Sequence, residues 1–152
     1  MNAWEPLVEE FGRLIGADGL EIATAGACRL ELDARLGIDF ELDSQGSLHL
    51  YCELPSVKAD HRPAVALALL ARNYVNQRQH IAAEFSWDEA NGIFLLHSKV
   101  EQAAASLEAF EAAVRQFTQV AEEWVQRLAS DTWGAAAAAP EAGLSPLMMQ
   151  RA

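Results

Sequence analysis

Between Gly37 and Leu54 the chain reads GIDFELDSQGSLHLYCEL, with an apolar residue at every second position on either side of a Ser44-Gln45-Gly46 break. A period of two marks a half-buried β-strand, because successive side chains point to opposite faces of a sheet. The break makes the stretch a hairpin, and parity fixes its register. Directly opposed residues share a face, so Leu42 must oppose Leu48 or Leu50. A two-residue turn at Gln45-Gly46 sets Leu42 against His49 and mixes the faces. A three-residue loop with a left-handed Gly46 sets Leu42 against Leu48 and Phe40 against Leu50, the common bulged hairpin. The second register is the expected one. It puts Phe40, Leu42, Leu48, Leu50 and Cys52 on a dry face.

The rest of the chain arranges itself around this hairpin. Trp4, Leu7, Val8, Phe11, Leu14 and Ile15 recur at helical spacing and predict a first helix ended near Gly16. Cys28, Leu30 and Leu32 alternate with Arg29, Glu31 and Asp33 and predict a strand before the hairpin. Pro55 closes the third strand, and Asp60 with Pro63 opens a helix over about 61–79. Its first half, AVALALLA, is apolar on every side, which requires two covered faces. The sheet supplies one cover, and an identical chain is the simplest second one. Alternation from Ile81 to Trp87, an Asn91-Gly92 turn and the run Ile93 to Val100 predict a second hairpin. Ile93 and Leu95 make the second face of its last strand apolar too. Leu107, Phe110, Val114, Phe117, Ala121, Trp124 and Leu128 predict a long core-facing helix over about 103–129. The fold class is therefore α+β: helix, three strands, helix, two strands, helix, with helices packed on a twisted antiparallel sheet. Residues 1–130 form this domain, and the low-complexity run 131–152 is expected as a disordered C-terminal tail.

Composition narrows the function. A formal net charge of -11 repels phosphate backbones and anionic lipid, which argues against nucleic acid and membrane surfaces as partners. No apolar run is long enough to span a bilayer, the N-terminus is not a signal peptide, and a soluble cytoplasmic protein is expected. Glu31, Asp33, Asp39, Glu41, Asp43 and Glu53 share one strand face, but an open sheet face offers no concavity for paired acid and base work. They read as the wet side, with Arg29 opposite Glu41, Glu31 opposite Asp39, and Arg29, Glu41 and His49 in one cross-strand row. His49, His61, His80 and His97 lack metal-ligand spacing, and Cys28 and Cys52 fall on the apolar face as structural thiols. No catalytic residue, metal or cofactor is expected.

Surplus apolar surface is the better clue. Trp4, Leu7, Phe11, Phe85, Trp87, Ile93 and Leu95 exceed the needs of one small core and point to dimerisation and capture of an extended polypeptide. With this element order, acidity and size, three stretches carry a resemblance: GACRLELDARLGIDFELDSQGSLHLYCELP, ALALLARNY and FSWDEANGIFLLHSKV. From residue 4 to about 130 the chain resembles the type III secretion effector chaperones of class I, the Tir-chaperone family.

That resemblance implies a cytoplasmic bacterial homodimer that binds the N-terminal segment of a secreted effector without ATP and keeps it secretion-competent. The implied dimer residues are Val65, Leu67, Leu69, Leu70 and Tyr74. The implied effector grooves involve Trp4, Leu7, Phe11, Phe85, Trp87 and Phe94, with some strand addition at sheet edges. The alternatives are a small dimeric adaptor or regulator of the same fold outside secretion, a general holdase, and an enzyme using the acidic strand face.

Overall fold

The computed structural model describes residues 2–22, 26–101, 106–130 and 132–133 of the 152-residue chain. In these residues the elements run α1 (Glu5–Ile15), β1 (Ala27–Asp33), β2 (Leu36–Leu42), β3 (Leu48–Glu53), α2 (Arg62–Arg78), β4 (Glu84–Asp88), β5 (Ile93–Val100) and α3 (Leu107–Ala129). The strands form one sheet in the order β1-β2-β3-β5-β4, with every neighbour antiparallel. The expected α+β class and element order are what is found.

The central hairpin takes the register that parity demands. Leu42 pairs with Leu48 and Phe40 with Leu50, and Gly46 is left-handed at φ 77. Asp43 ties the loop, its Oδ1 accepting the N–H groups of Gln45 and Ser47 at 2.8 Å each. The first hairpin departs from expectation by two residues. Arg29 pairs with Asp39 and Glu31 with Gly37, so the row through Glu41 and His49 begins at Ala27 instead. The cause is local. Asp33 Oδ1 accepts from Arg35 and Leu36 N–H and sets Asp33 opposite Leu36, and a bulge then inserts Leu32 as an extra residue. The faces keep their parity.

The dry face is covered by α1 and α3. Pro6 begins α1, and a left-handed Gly16 ends it. Ser106 caps α3, its Oγ accepting the Ala109 N–H. The two helices meet the sheet around Phe110, a fully buried ring within 5.6–6.3 Å of Trp4, Phe11 and Phe40.

Beside β4, the first half of α2 buries Val65 and Leu69 in the core, and the second half is held by polar contacts. Asn73 accepts the Phe85 N–H at 2.7 Å and donates to the Phe85 carbonyl at 3.0 Å, as a neighbouring strand would. Asn76 is buried and donates to the Ala83 carbonyl, and Arg72 joins Glu123 of α3 at 3.0 Å. The second half of α2 is therefore not simply a solvated stretch. Ile81 caps the helix through the Asn76 carbonyl, which is why β4 begins at Glu84 and not at Ile81. Beyond the expected boundary at 130, Trp133 stacks on Trp124 and donates to the Arg127 carbonyl at 3.0 Å. The remainder of the expected tail, Asp131 and 134–152, lies outside the described residues.

Replacing Phe110 by alanine removes the ring that three elements share. The expected loss is about 3–5 kcal/mol of folding stability, read as a lower urea midpoint.

Candidate protein-binding surfaces

Among the described residues, these apolar surfaces remain open once the core is closed. The first is the outward stripe of α2, where Leu67, Leu70 and Tyr74 are 70%, 62% and 63% exposed. Their spacing of three and four residues places them on one helix face. Val65 and Leu69, grouped with them by sequence, are buried on the opposite side and face the chain's own core. The all-round apolar helix thus divides into a core side and a bare side.

The second surface is a cavity of about 200 Å³ between α2 and the last hairpin, lined by Ala66, Leu69, Leu70, Phe85, Trp87 and Phe94. Trp87 is 40% exposed, packs on Phe94 with ring centroids 4.7 Å apart, and carries the Arg62 guanidinium over its ring at 5.2 Å. Phe85 and Phe94 form the floor. Both are core side chains that contribute only an edge.

The third surface is a groove of about 670 Å³ where the end of α1, the start of the sheet and α3 converge. Phe11, Leu30 and Val114 form its buried floor, and the exposed Ile15 and Leu32 stand at its margin. Leu32 is the bulge residue, and bulges re-aim side chains in this way. Trp4 does not take part. It is 1% exposed, packs on Phe110, and donates its indole N–H to the Gly46 carbonyl at 3.1 Å. Leu7 is half-buried against the core.

Of the residues expected to meet a partner, Trp4, Phe11, Phe85 and Phe94 are therefore core residues first. Sequence periodicity cannot separate a core aromatic from a docking aromatic, because both sit on the apolar face of their element. Ile15 lay in the apolar pattern of α1, but no signal marked it as marginal. Nothing in the sequence marks Leu32 as a bulge.

The sheet edges differ as well. Gly26 accepts from Leu42 N–H at 2.8 Å, so the hydrogen-bonded pairs continue at Cys28–Phe40 and Leu30–Ile38. Ala27, Arg29 and Glu31 accordingly turn their backbone N–H and C=O groups outward beside the third surface. At β4 the outward-facing groups of Phe85 are already taken by Asn73.

The profile of the Tir chaperone protein (CesT) family matches residues 6–125. The chain belongs to the Tir chaperone family. Similar solved folds include that of the ExsC–ExsE complex, at a TM-score of 0.67 and 24% identity over 81% of this chain and 91% of the other. Another is the HopA1–SchA chaperone–effector complex, also at 0.67, with 17% identity over 82% and 94% of the two chains. A third is the ExoU–SpcU heterodimer from the type III secretion system of Pseudomonas aeruginosa, at 0.59 and 17% identity over 82% and 96%. No curated protein sequence matches the chain.

In this Tir chaperone family member the opposite face of the sheet is polar and internally paired. Arg29 binds Asp39 at 2.7 Å and also Glu31, and both carboxylates hold its guanidinium firmly charged. Asp43 is held down to about 2 by the hydrogen bond from His49 and by the Ser47 N–H. His49 Nε2 lies 3.0 Å from Asp43, and His49 Nδ1 lies 2.8 Å from His97 Nε2, with Tyr51 stacked on both rings. With the Nε2–H of His49 donated to the Asp43 carboxylate, His49 Nδ1 accepts from the Nε2–H of His97. Burial pushes the thiols up, Cys28 to about 11 and Cys52 to about 12, so neither is a thiolate at neutral pH. Among the described residues no group of three or more His, Cys, Asp or Glu side chains is arranged to hold a metal ion. No helix is long and apolar enough to cross a membrane, again among the described residues.

Burial, and then the charge of His49, lower the pKa of His97 below its ordinary 6.5. The unfolded chain therefore takes up that proton first as the pH falls, and stability is lost below about 6.5. Urea midpoints are expected to drop between pH 7.5 and 5.5, with a smaller drop in His97→Gln. An equal drop in both proteins would remove His97 as the source.

Proposed function

We propose that this protein is an ATP-independent chaperone of the bacterial cytoplasm. As a homodimer it binds the N-terminal chaperone-binding segment of a type III secreted effector and keeps it soluble and secretion-competent. The observation that carries this reading is the set of apolar surfaces left open on a strongly acidic member of the Tir chaperone family. An acidic, self-repelling exterior keeps the chaperone dispersed while apolar grooves hold a poorly soluble segment. Effector complexes among the similar folds support the same partner class.

The bare stripe of Leu67, Leu70 and Tyr74 suits a two-fold contact, because a helix face meeting its own copy is self-complementary. The grooves suit an extended segment whose side chains alternate between pocket and solvent. The outward backbone groups of β1 can add a strand. None of these roles requires a catalytic residue.

Co-expression with candidate effectors followed by mass measurement is expected to give two chaperones per effector. Recovery of a monomer bound to nothing would sink the reading. The double substitution Leu67→Asp with Tyr74→Asp is expected to weaken the dimer at least about tenfold, giving the monomer mass in light scattering while the circular dichroism spectrum is kept. Trp87→Ser should leave the dimer intact and reduce effector capture.

A further inference from the structure

The two grooves differ in charge. Among the described residues, the smaller one, between α2 and the last hairpin, is lined by Ser86 and apolar side chains and by no carboxylate. The larger groove, between α1, β1 and α3, is rimmed by Glu31, Glu111 and Glu122, with Arg115 as the cationic lining residue. Arg115 is 66% exposed and joined to Glu111 along the same helix, and Arg29 nearby is shared between Glu31 and Asp39. The guanidinium groups therefore leave the rim acidic.

Spacing adds a second constraint. Glu111 and Glu122 are 11 residues apart on α3 (122 − 111), three turns along one face, which spans about 16 Å at 1.5 Å per residue. An extended chain covers that distance in about five residues at 3.3 Å each, and because alternate side chains share a face, about six residues is the even spacing that turns two cations to the groove with two anchors between them. Between the two acids, the floor of Phe11, Leu30 and Val114 takes apolar side chains.

We propose that Glu31, Glu111 and Glu122 make this groove selective for an extended segment with Lys or Arg on both sides of its apolar anchors, about six residues apart. This rests on the reading that an effector segment occupies the groove, and it adds which segments are accepted. The rim charges steer a basic segment toward the groove, and apolar burial holds it there.

The test uses the full-length protein and two fluorescein-labelled peptides, GSKTVSVSKSG and GSETVSVSESG, in anisotropy titrations at low salt. The lysine peptide is expected to bind at least about tenfold more tightly, with the gap shrinking as salt is added. In the variant E31Q/E111Q/E122Q the gap should fall below about twofold. A control variant of equal charge, E9Q/E53Q/E89Q, should retain it, since those exposed acids lie outside the groove. Equal binding of the two peptides, no binding of either, or equal loss in both variants would overturn the proposal. The chaperone reading fails separately, through absence of effector capture on co-expression, and a lysine preference confined to the rim acids would survive that failure.

Discussion

The ring of Phe110 is where this fold closes. It belongs to α3, but its surroundings come from Trp4 and Phe11 of the N-terminal segment and Phe40 of the central hairpin. The sheet has one dry face, and two helices are enough to seal it only if they meet over that ring. Aromatic burial of this kind is the largest local source of stability in a domain of this size. Because α1 and α3 use their apolar stripes for this purpose, α2 is left with a face that no other described residue covers.

The two faces of the sheet consequently follow different chemistry. On the dry face, register is enforced by burial, since a one-residue slip would expose every core side chain of a strand. On the wet face, charges and rings pair across strands, with Arg29 between two acids and His49 between Asp43 and His97. The exposed Arg29 pairs contribute little individually, because water screens them, whereas the His49 contacts are part-buried. The former fix local geometry more than global stability.

Much of this was legible in the sequence, for identifiable reasons. Period-two alternation and a single glycine sufficed to place Leu42 against Leu48. The first hairpin resisted the same reasoning because Asp33 binds two backbone N–H groups and shortens the turn, and the bulge at Leu32 then restores parity. The bare side of α2 was legible as an excess of apolar residues, but which of them faced inward depended on where the helix docks. That docking runs through Asn73 and Asn76, whose type and spacing look like those of any solvated helix end. The grooves were the least legible feature, since their floors are made of core residues and their margins of residues such as Leu32 and Ile15.

Asn73 has a consequence for how this molecule behaves in a crowded cell. A protein that handles unfolded chains is at constant risk of becoming a template for them, because a bare strand edge recruits any extended peptide and can then be extended in turn. With its amide seated on the Phe85 backbone, α2 occupies that position at one end of the sheet. Glu84–Asp88 is so short that, with Phe85 engaged, Trp87 alone has backbone groups pointing outward. Growth by strand pairing is thereby confined to the β1 end. Two folded copies joined edge to edge at β1 present only their α2-flanked ends, so a sheet built from this chain closes at two copies instead of seeding a fibre.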